Sequence, residues 1–250
     1  MDIIAHRGAS YDAPENTIAS VQLAWEQGAD AVEIDVQCSR DGHLVVIHND
    51  NTAKTAGLRK RVNALTVAEL AALDAGSWKD ARWAGERIPT LEQVLALVPD
   101  GKRIFIEIKC EPTCLAEFAK IIRRSRTTPE QIVVISFALE TMKLVKHAVR
   151  QLEVCWIAEF QRNWKTGGWS PKPQTLIEKT RKAGLDGLDF GANGPINADL
   201  VKQVKAAGLH LYVWTVDSPA QACKLLRAGV DGITTNRPGW LRQQLRSLSE

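Results

Sequence analysis

Three observations predict an α/β fold built from repeated βα units. Strand-like and helix-like segments alternate along nearly all of the 250 residues. The strand-like segments are apolar runs more than apolar–polar alternations, the pattern of a parallel sheet covered on both faces. The length suits eight such units in one domain, 1–250. A (β/α)8 TIM barrel is therefore the leading expectation, with an open doubly wound sheet as the alternative.

The first strand is read at 2–6, Asp2-Ile3-Ile4-Ala5-His6, and others at 31–37, 44–48, 103–109, 131–136, 153–158, 185–190, 209–214 and 231–235. Helices fit between them at 17–27, 90–98, 114–125, 139–149, 173–183, 197–206 and 218–228. Asn16-Thr17 can cap the first helix and Gly28 can end it. Ser218-Pro219 opens a late helix that Gly229 closes, and Gly184 and Gly208 end two others. Only Ser39-Arg40-Asp41-Gly42-His43 separates the second and third strands. A parallel crossover needs about a dozen residues, so these strands should form an antiparallel β-hairpin with Asp41-Gly42 at its turn. Setting that extra strand aside leaves eight staves. Residues 49–89 lack the βα rhythm and read as a small insertion over one end of the barrel. Within it, Thr66 and Glu69 fit a capping box.

Composition excludes several classes. Against 32 Lys+Arg stand 29 Asp+Glu, a net charge of +3, too weak to argue for nucleic acid or an anionic membrane. The clusters Arg59-Lys60-Arg61 and Arg123-Arg124 read as solvated faces. No apolar run approaches the ~18 residues of a membrane span, and the N-terminus has no export signal. A cytoplasmic protein without stable membrane anchoring is expected, its five cysteines reduced. Cys110 and Cys114 have half-site spacing for zinc, but no second half follows. The oligomeric state stays open.

Function is carried by charges on apolar strands. Glu33 and Asp35 are two apart in Ala31-Val32-Glu33-Ile34-Asp35-Val36 and so share one face. Glu107 and Lys109 repeat the arrangement in Phe105-Ile106-Glu107-Ile108-Lys109. Such charges cost free energy unless paired or metal-bound. Facing inward near the C-terminal strand ends, they would reach the barrel mouth, where active sites of this fold lie. Three carboxylates meeting there repel one another, and one divalent cation would resolve the repulsion. All-oxygen ligands favour Mg²⁺ or Ca²⁺. The competing reading is a set of internal salt bridges with Lys109 and Arg7.

If the hairpin turn centres near Asp41, residues 33–35 lie opposite 47–49, which brings His48 beside the carboxylates. His6 ends the first strand at the same mouth. Two histidines beside metal ligands suit acid and base roles. Arg7 and Lys109 add positive charge for a phosphate. The set fits a small-molecule phosphodiester as substrate, with one histidine deprotonating the nucleophile and the other protonating the leaving alkoxide. His43, His147 and His210 lack this context.

His6-Arg7-Gly8, Pro14-Glu15-Asn16-Thr17, Glu33-Ile34-Asp35-Val36, Ser39-Arg40-Asp41-Gly42 and His48 follow one another in order, then Ile88-Pro89-Thr90-Leu91, Glu107-Ile108-Lys109, Val213-Trp214-Thr215-Val216 and Asp231-Gly232-Ile233-Thr234-Thr235. In this order and spacing the chain resembles the glycerophosphodiester phosphodiesterases of the bacterial, cytoplasmic type over nearly its whole length. The resemblance implies a barrel with a small insertion after the third strand, and hydrolysis of glycerophosphodiesters to sn-glycerol 3-phosphate and an alcohol. It implies that Glu33, Asp35 and Glu107 hold the metal, that His6 is the general base and His48 the general acid, and that Arg7 and Lys109 bind the phosphate. Attack by the neighbouring glycerol hydroxyl, giving a cyclic phosphate, is the first step it brings into view.

Two positions depart from the family pattern. Asn49 follows the second histidine where Asp is usual, and Thr235-Asn236-Arg237-Pro238 replaces Thr-Asp-x-Pro. Both bear on the support of the site residues. Asn16, besides capping a helix, is placed to orient a site group. Trp214, at a strand end, is the candidate for contacting glycerol. Trp164 and Trp169 stand in a loop, either lining the route of the alcohol half or packing as core or lid. Two other functions remain: a lyase that stops at the cyclic phosphate, and a non-catalytic barrel that binds phosphorylated ligands.

Overall fold

The computed structural model describes residues 1–165 and 167–247. Its strands are β1 (Asp2–His6), β2 (Ala31–Cys38), β3 (Leu44–Val46), β4 (Arg103–Ile108), β5 (Ile132–Ser136), β6 (Glu153–Ala158), β7 (Gln161–Arg162), β8 (Trp169–Ser170), β9 (Gly187–Gly191), β10 (His210–Trp214) and β11 (Gly232–Thr235). Its α-helices are α1 (Ile18–Glu26), α2 (Ala53–Ala56), α3 (Val67–Ala71), α4 (Leu91–Leu95), α5 (Leu115–Arg124), α6 (Leu139–Ala148), α7 (Pro173–Lys182), α8 (Ala198–Ala206), α9 (Pro219–Ala228) and α10 (Pro238–Ser247). β1 pairs in parallel with both β2 and β11, which closes the ring β1-β2-β4-β5-β6-β9-β10-β11. The eight-stave barrel read from the sequence is the fold.

Alternation along the staves explains their composition. Ile104, Ile106 and Ile108 pack outward beneath the helices, while Phe105 points into the barrel. Burying one such side chain contributes about 1.5–3 kcal/mol, so the two-sided burial of each stave selects an apolar run. Inside, Ile4, Ala31, Phe105, Val133, Cys155 and Tyr212 form a buried, largely apolar layer. Below it Arg103 meets Asp2 at 3.3 Å and Glu153 at 2.5 Å, and donates to the Tyr212 hydroxyl at 3.1 Å. The N-terminal end is thus plugged, and the open end is the C-terminal one.

The hairpin forms as expected. Val36, Gln37 and Cys38 lie opposite Val46, Val45 and Leu44, and Gly42 turns with φ +84°. Extending that register sets 33–35 against 47–49, and the Ile47 N–H donates to the Asp35 carbonyl at 2.9 Å. The strand is shorter than its apolar run. His48 has left the ladder, and Gln37 Nε2 donates to its carbonyl at 3.3 Å.

The 49–89 insertion has its own small core of Val45, Ile47, Val62, Leu65, Leu70, Ala75 and Ile88. The Thr66–Glu69 capping box is present at α3. The insertion leans on the β1–α1 loop: Lys79 Nζ donates to the Ser10 carbonyl at 2.9 Å, and Lys54 pairs with Glu15 at 2.8 Å. The sequence reading missed α2, α10 and the β7–β8 ribbon. α10 begins at Pro238-Gly239, a pair that looks like a turn, although Pro is well suited to a helix's first turn. The ribbon β7–β8 has only two residues per strand. Among the described residues no helix is long and apolar enough to cross a membrane.

Candidate active site

Glu33, Asp35 and Glu107 converge at the open end. One carboxylate oxygen from each lies within 4.8 Å of the others, the only such group of potential metal ligands among the described residues. Strand register does this: Asp35 on β2 is directly opposite Glu107 on β4, and Glu33 is two residues below on the same inward face. Asp35 is fully buried and Glu33 is 3% exposed. Lys109 Nζ approaches Glu107 at 2.9 Å and Asp35 at 3.3 Å, and Arg7 Nε approaches Asp35 at 3.1 Å. The salt bridges of the competing reading therefore exist, but two cations face three carboxylates. The surplus shows in the acidities. Burial raises the Asp35 pKa, yet Arg7 and Lys109 overcome it and hold this carboxyl below its ordinary range. Burial, then the Asp35 charge, pushes Glu107 up to about 7. Glu33 is driven well above its usual value by burial and both neighbours. Glu33 Oε1 is buried without a hydrogen-bond partner, and Asp35 Oδ1 has only the Lys109 ion pair.

The loop after β1 supplies the surrounding groups. Its backbone is strained at two of them: Arg7 and Asn16 have φ of 56° and 60°, a region that side-chain-bearing residues rarely occupy. The Arg7 N–H donates to Glu33 Oε2 at 3.0 Å. Asn16 Nδ2 donates to Asp35 Oδ2 at 2.8 Å, and the Asp35 N–H donates to Asn16 Oδ1 at 3.1 Å. Asn16 is thus more than a cap; Thr17 performs the capping. Glu15 accepts from Arg7 at 3.2 Å and Lys54 at 2.8 Å, linking insertion to site. Gly8 makes the loop possible. Its φ is +79°, and a Cβ there would sit 2.5 Å from the Ser20 backbone carbon. Gly8→Ala should cost about 2–4 kcal/mol from the left-handed conformation and the overpacking. A urea midpoint unchanged from the wild type would refute that reading of the loop.

Both histidines reach the mouth, and each has an asparagine partner. His6 Nδ1 is 2.7 Å from Asn236 Oδ1, and His48 Nδ1 is 2.6 Å from Asn49 Oδ1. The Asn236 amide is oriented by Asp217: Nδ2 donates to Asp217 Oδ2 at 2.6 Å, which a carboxylate can only accept. Its Oδ1 therefore faces His6, fixing the proton on Nδ1 and leaving the Nε2 lone pair free. Burial and then Arg7 lower the His6 pKa, with Asn236 and Asp35 opposing. Burial also lowers that of His48, against the pull of Asp35. Sequence reading missed Asp217, whose role depends on a contact from the turn after β10 to Asn236.

His6, Arg7, Glu33, His48, Glu107, Lys109 and Trp214 line one cleft of about 200 Å³, with Phe137 and Asp189 also in its wall. Trp214 meets Phe137 edge to face at 5.6 Å. Trp164 and Trp169 stand outside it: Trp169 packs on Phe160 at 6.4 Å, and Trp164 is 85% exposed. A larger groove of about 440 Å³ between α4 and α5 contains no histidine and no ligand cluster, so the chemistry points to the smaller cleft. Sequence reading overlooked Asp189, though the same signal was available, an acid inside an apolar strand, Gly187-Leu188-Asp189-Phe190-Gly191.

Comparison with known proteins places the whole chain among related sequences and folds. The model of the glycerophosphoryl diester phosphodiesterase family matches residues 6–240. A glycerophosphodiester phosphodiesterase of Caldanaerobacter subterraneus is 34% identical over 98% of this chain and 97% of its own. One from Bacillus subtilis is 30% identical over 94% and 83% of the two chains. Among solved structures, an Oleispira antarctica phosphodiesterase in complex with the product sn-glycerol-3-phosphate superposes with a TM-score of 0.86 at 26% identity, covering 98% of this chain and 97% of that one.

Proposed function

The chain belongs to the glycerophosphoryl diester phosphodiesterase family, and from that premise we propose that it hydrolyses glycerophosphodiesters to sn-glycerol 3-phosphate and an alcohol, using one divalent cation and a His6/His48 base–acid pair. The observation that carries the reading is the convergence of three carboxylates, two of them buried, with two cations and two histidines at the open end of the barrel, around one cleft. A binding protein needs no acid–base pair, which disfavours the non-catalytic alternative.

The residues fit a hard cation. Glu33, Asp35 and Glu107 offer oxygen donors only, and Glu33 Oε1 is buried without a hydrogen bond or ion pair. Bound there, Mg²⁺ or Ca²⁺ would polarise a phosphoryl oxygen and offset charge at phosphorus. Arg7 and Lys109 hold the anionic phosphate oxygens beside it. His6, with Nδ1–H directed to Asn236, presents Nε2 to take the proton of the attacking hydroxyl. His48 delivers a proton to the departing alkoxide and is held by Asn49. Trp214 and Phe137 form an apolar wall against which the glycerol carbons pack.

The test is release of sn-glycerol 3-phosphate from several glycerophosphodiesters with Mg²⁺, Ca²⁺ or a chelator. Release with a cation and none with chelator is expected. Absence of release under every condition would refute the assignment, and a cyclic phosphate that persists by phosphorus NMR would favour the lyase.

A further inference from the structure

Asp189 has no place in that mechanism and no partner to explain it. It is 2% exposed, lies in the wall of the active-site cleft, and its Oδ1 is buried without a hydrogen bond. Register sets it beside Ile157 on β6 and Tyr212 on β10, so it faces inward, on top of the apolar layer that fills the barrel. It forms no ion pair among the described residues, and the charge that acts on it is the repulsive one of Glu107. The strand is built around it. Gly187 and Gly191, its neighbours on the inward face, carry no side chain, so Asp189 is the one side chain β9 sends inward.

An unpaired buried acid destabilises the fold, and nothing within the protein repays it. Polar atoms in such positions pair with a ligand when they face a cleft. The cleft volume, about 200 Å³, is below the ~300–1,000 Å³ of sites for drug-sized ligands. It therefore takes one half of the diester, with the other directed outward. Phosphate goes to Arg7, Lys109 and the carboxylate triad. What remains of a phosphoglycerol half is a short chain bearing hydroxyls, between the apolar side chains of Ile157 and Trp214 and the Asp189 carboxyl. Buried on the apolar layer with no cation beside it, the Asp189 carboxyl favours its neutral form, and burial raises its pKa; such a group suits a hydroxyl better than an ammonium.

Resting on the phosphodiesterase reading, we infer that Asp189 is a specificity-determining residue that hydrogen-bonds a hydroxyl of the substrate's glycerol half. It selects a polyol phosphate over a plain alkyl or aryl phosphate, as a site built to bond a hydroxyl rejects analogues lacking it.

The experiment compares wild type, Asp189→Leu, Asp189→Ala and Asp189→Asn on glycerophosphoethanolamine and on bis(4-nitrophenyl) phosphate, with Mg²⁺. In Asp189→Leu, kcat/KM should fall about 10- to 100-fold on the first, the loss of one buried hydrogen bond, and stay within about threefold on the second. Asp189→Asn, which can still donate and accept, should keep most of the discrimination. The thermal midpoint of Asp189→Leu should rise, since an unpaired buried acid is replaced by an apolar side chain. A purely structural Asp189 would give the opposite sign. Should leucine prevent folding, the smaller alanine carries the same comparison. Calorimetric titration should show weakened binding of sn-glycerol 3-phosphate and unchanged binding of methyl phosphate. Equal loss on both substrates, or no loss on either, overturns the inference. Wild-type enzyme that cleaves the nitrophenyl diester but no glycerophosphodiester refutes the functional reading itself, and this inference with it.

Discussion

His48→Ala should lower kcat/KM about 10²- to 10⁴-fold on glycerophosphoethanolamine, the usual contribution of a general acid, while costing far less on the glycerol phosphodiester of 4-nitrophenol. The reason is the leaving group. An alkoxide departs badly unless it is protonated as the P–O bond breaks, whereas 4-nitrophenolate departs as a stable anion. His6→Ala removes the base and should damage both substrates alike. The contrast between the two variants, not the size of either loss, separates their roles; equal losses for His48→Ala on both diesters would sink the assignment. The neighbouring amide gives a second lever. His48 Nδ1 bonds the neutral Asn49, and burial holds its pKa below the ordinary value. An acid must be protonated, so activity should fall as pH rises through that lowered pKa. Asn49→Asp would set a carboxylate against the ring, raise the His48 pKa, and move the alkaline limb of the kcat/KM profile upward. A limb that stays in place would show that His48 is not the group titrating there.

How much of this was legible in the sequence depends on how far each signal travels along the chain. The staves were legible because two-sided burial writes itself locally as apolar runs, from Ile132-Val133-Val134-Ile135 to Leu211-Tyr212-Val213. The hairpin was legible because five residues cannot make a crossover. The carboxylate triad followed from the same local logic, since a charge inside an apolar run needs a reason. The support of the histidines was not legible. Asn49 and Asn236 read as losses relative to the family pattern, yet each amide bonds its imidazole, and Asp217 orients Asn236 from a turn 19 residues earlier. That relay exists only once β1, β10 and β11 are adjacent. Asp189 was lost for a different reason. It sits in a stretch read as a strand, 185–190, but no second charge two residues away marks its face, and only the register with β6 and β10 shows that it points inward.

Glu107→Gln should abolish activity, a loss of about 10³-fold or more given the several kcal/mol a catalytic cation supplies, and should also make the metal-free protein more stable at pH 8. Both follow from one carboxyl. Burial, and then the Asp35 charge, raise its pKa from the ordinary 4.5 to about 7 in the fold. A carboxyl with a raised folded-state pKa contributes stability that is complete below the unfolded value and is lost as pH rises through the folded one. In the metal-free protein Glu107 therefore lowers the melting temperature from pH 6 to pH 8, and Glu33, also raised well above its ordinary value, acts in the same direction, while the lowered pKa values of His6 and His48 oppose both. A divalent cation binds the deprotonated carboxylates and competes with their protons. Its effect on the melting temperature should be larger at pH 8 than at pH 6, and its affinity should weaken as pH falls through 7. Glutamine keeps the shape and the contact with Lys109 but has no proton to lose. Relative to the wild type, metal-free Glu107→Gln should therefore gain melting temperature from pH 6 to pH 8, and the stabilisation by Mg²⁺ or Ca²⁺ should shrink. Thermal scans at the two pH values, with chelator and with each cation, read all of these together. A pH trend that Glu107→Gln leaves unchanged, or a Glu107→Gln enzyme that retains its turnover with metal, would remove the triad as a cation site and with it the reason for three carboxylates to meet at the barrel mouth.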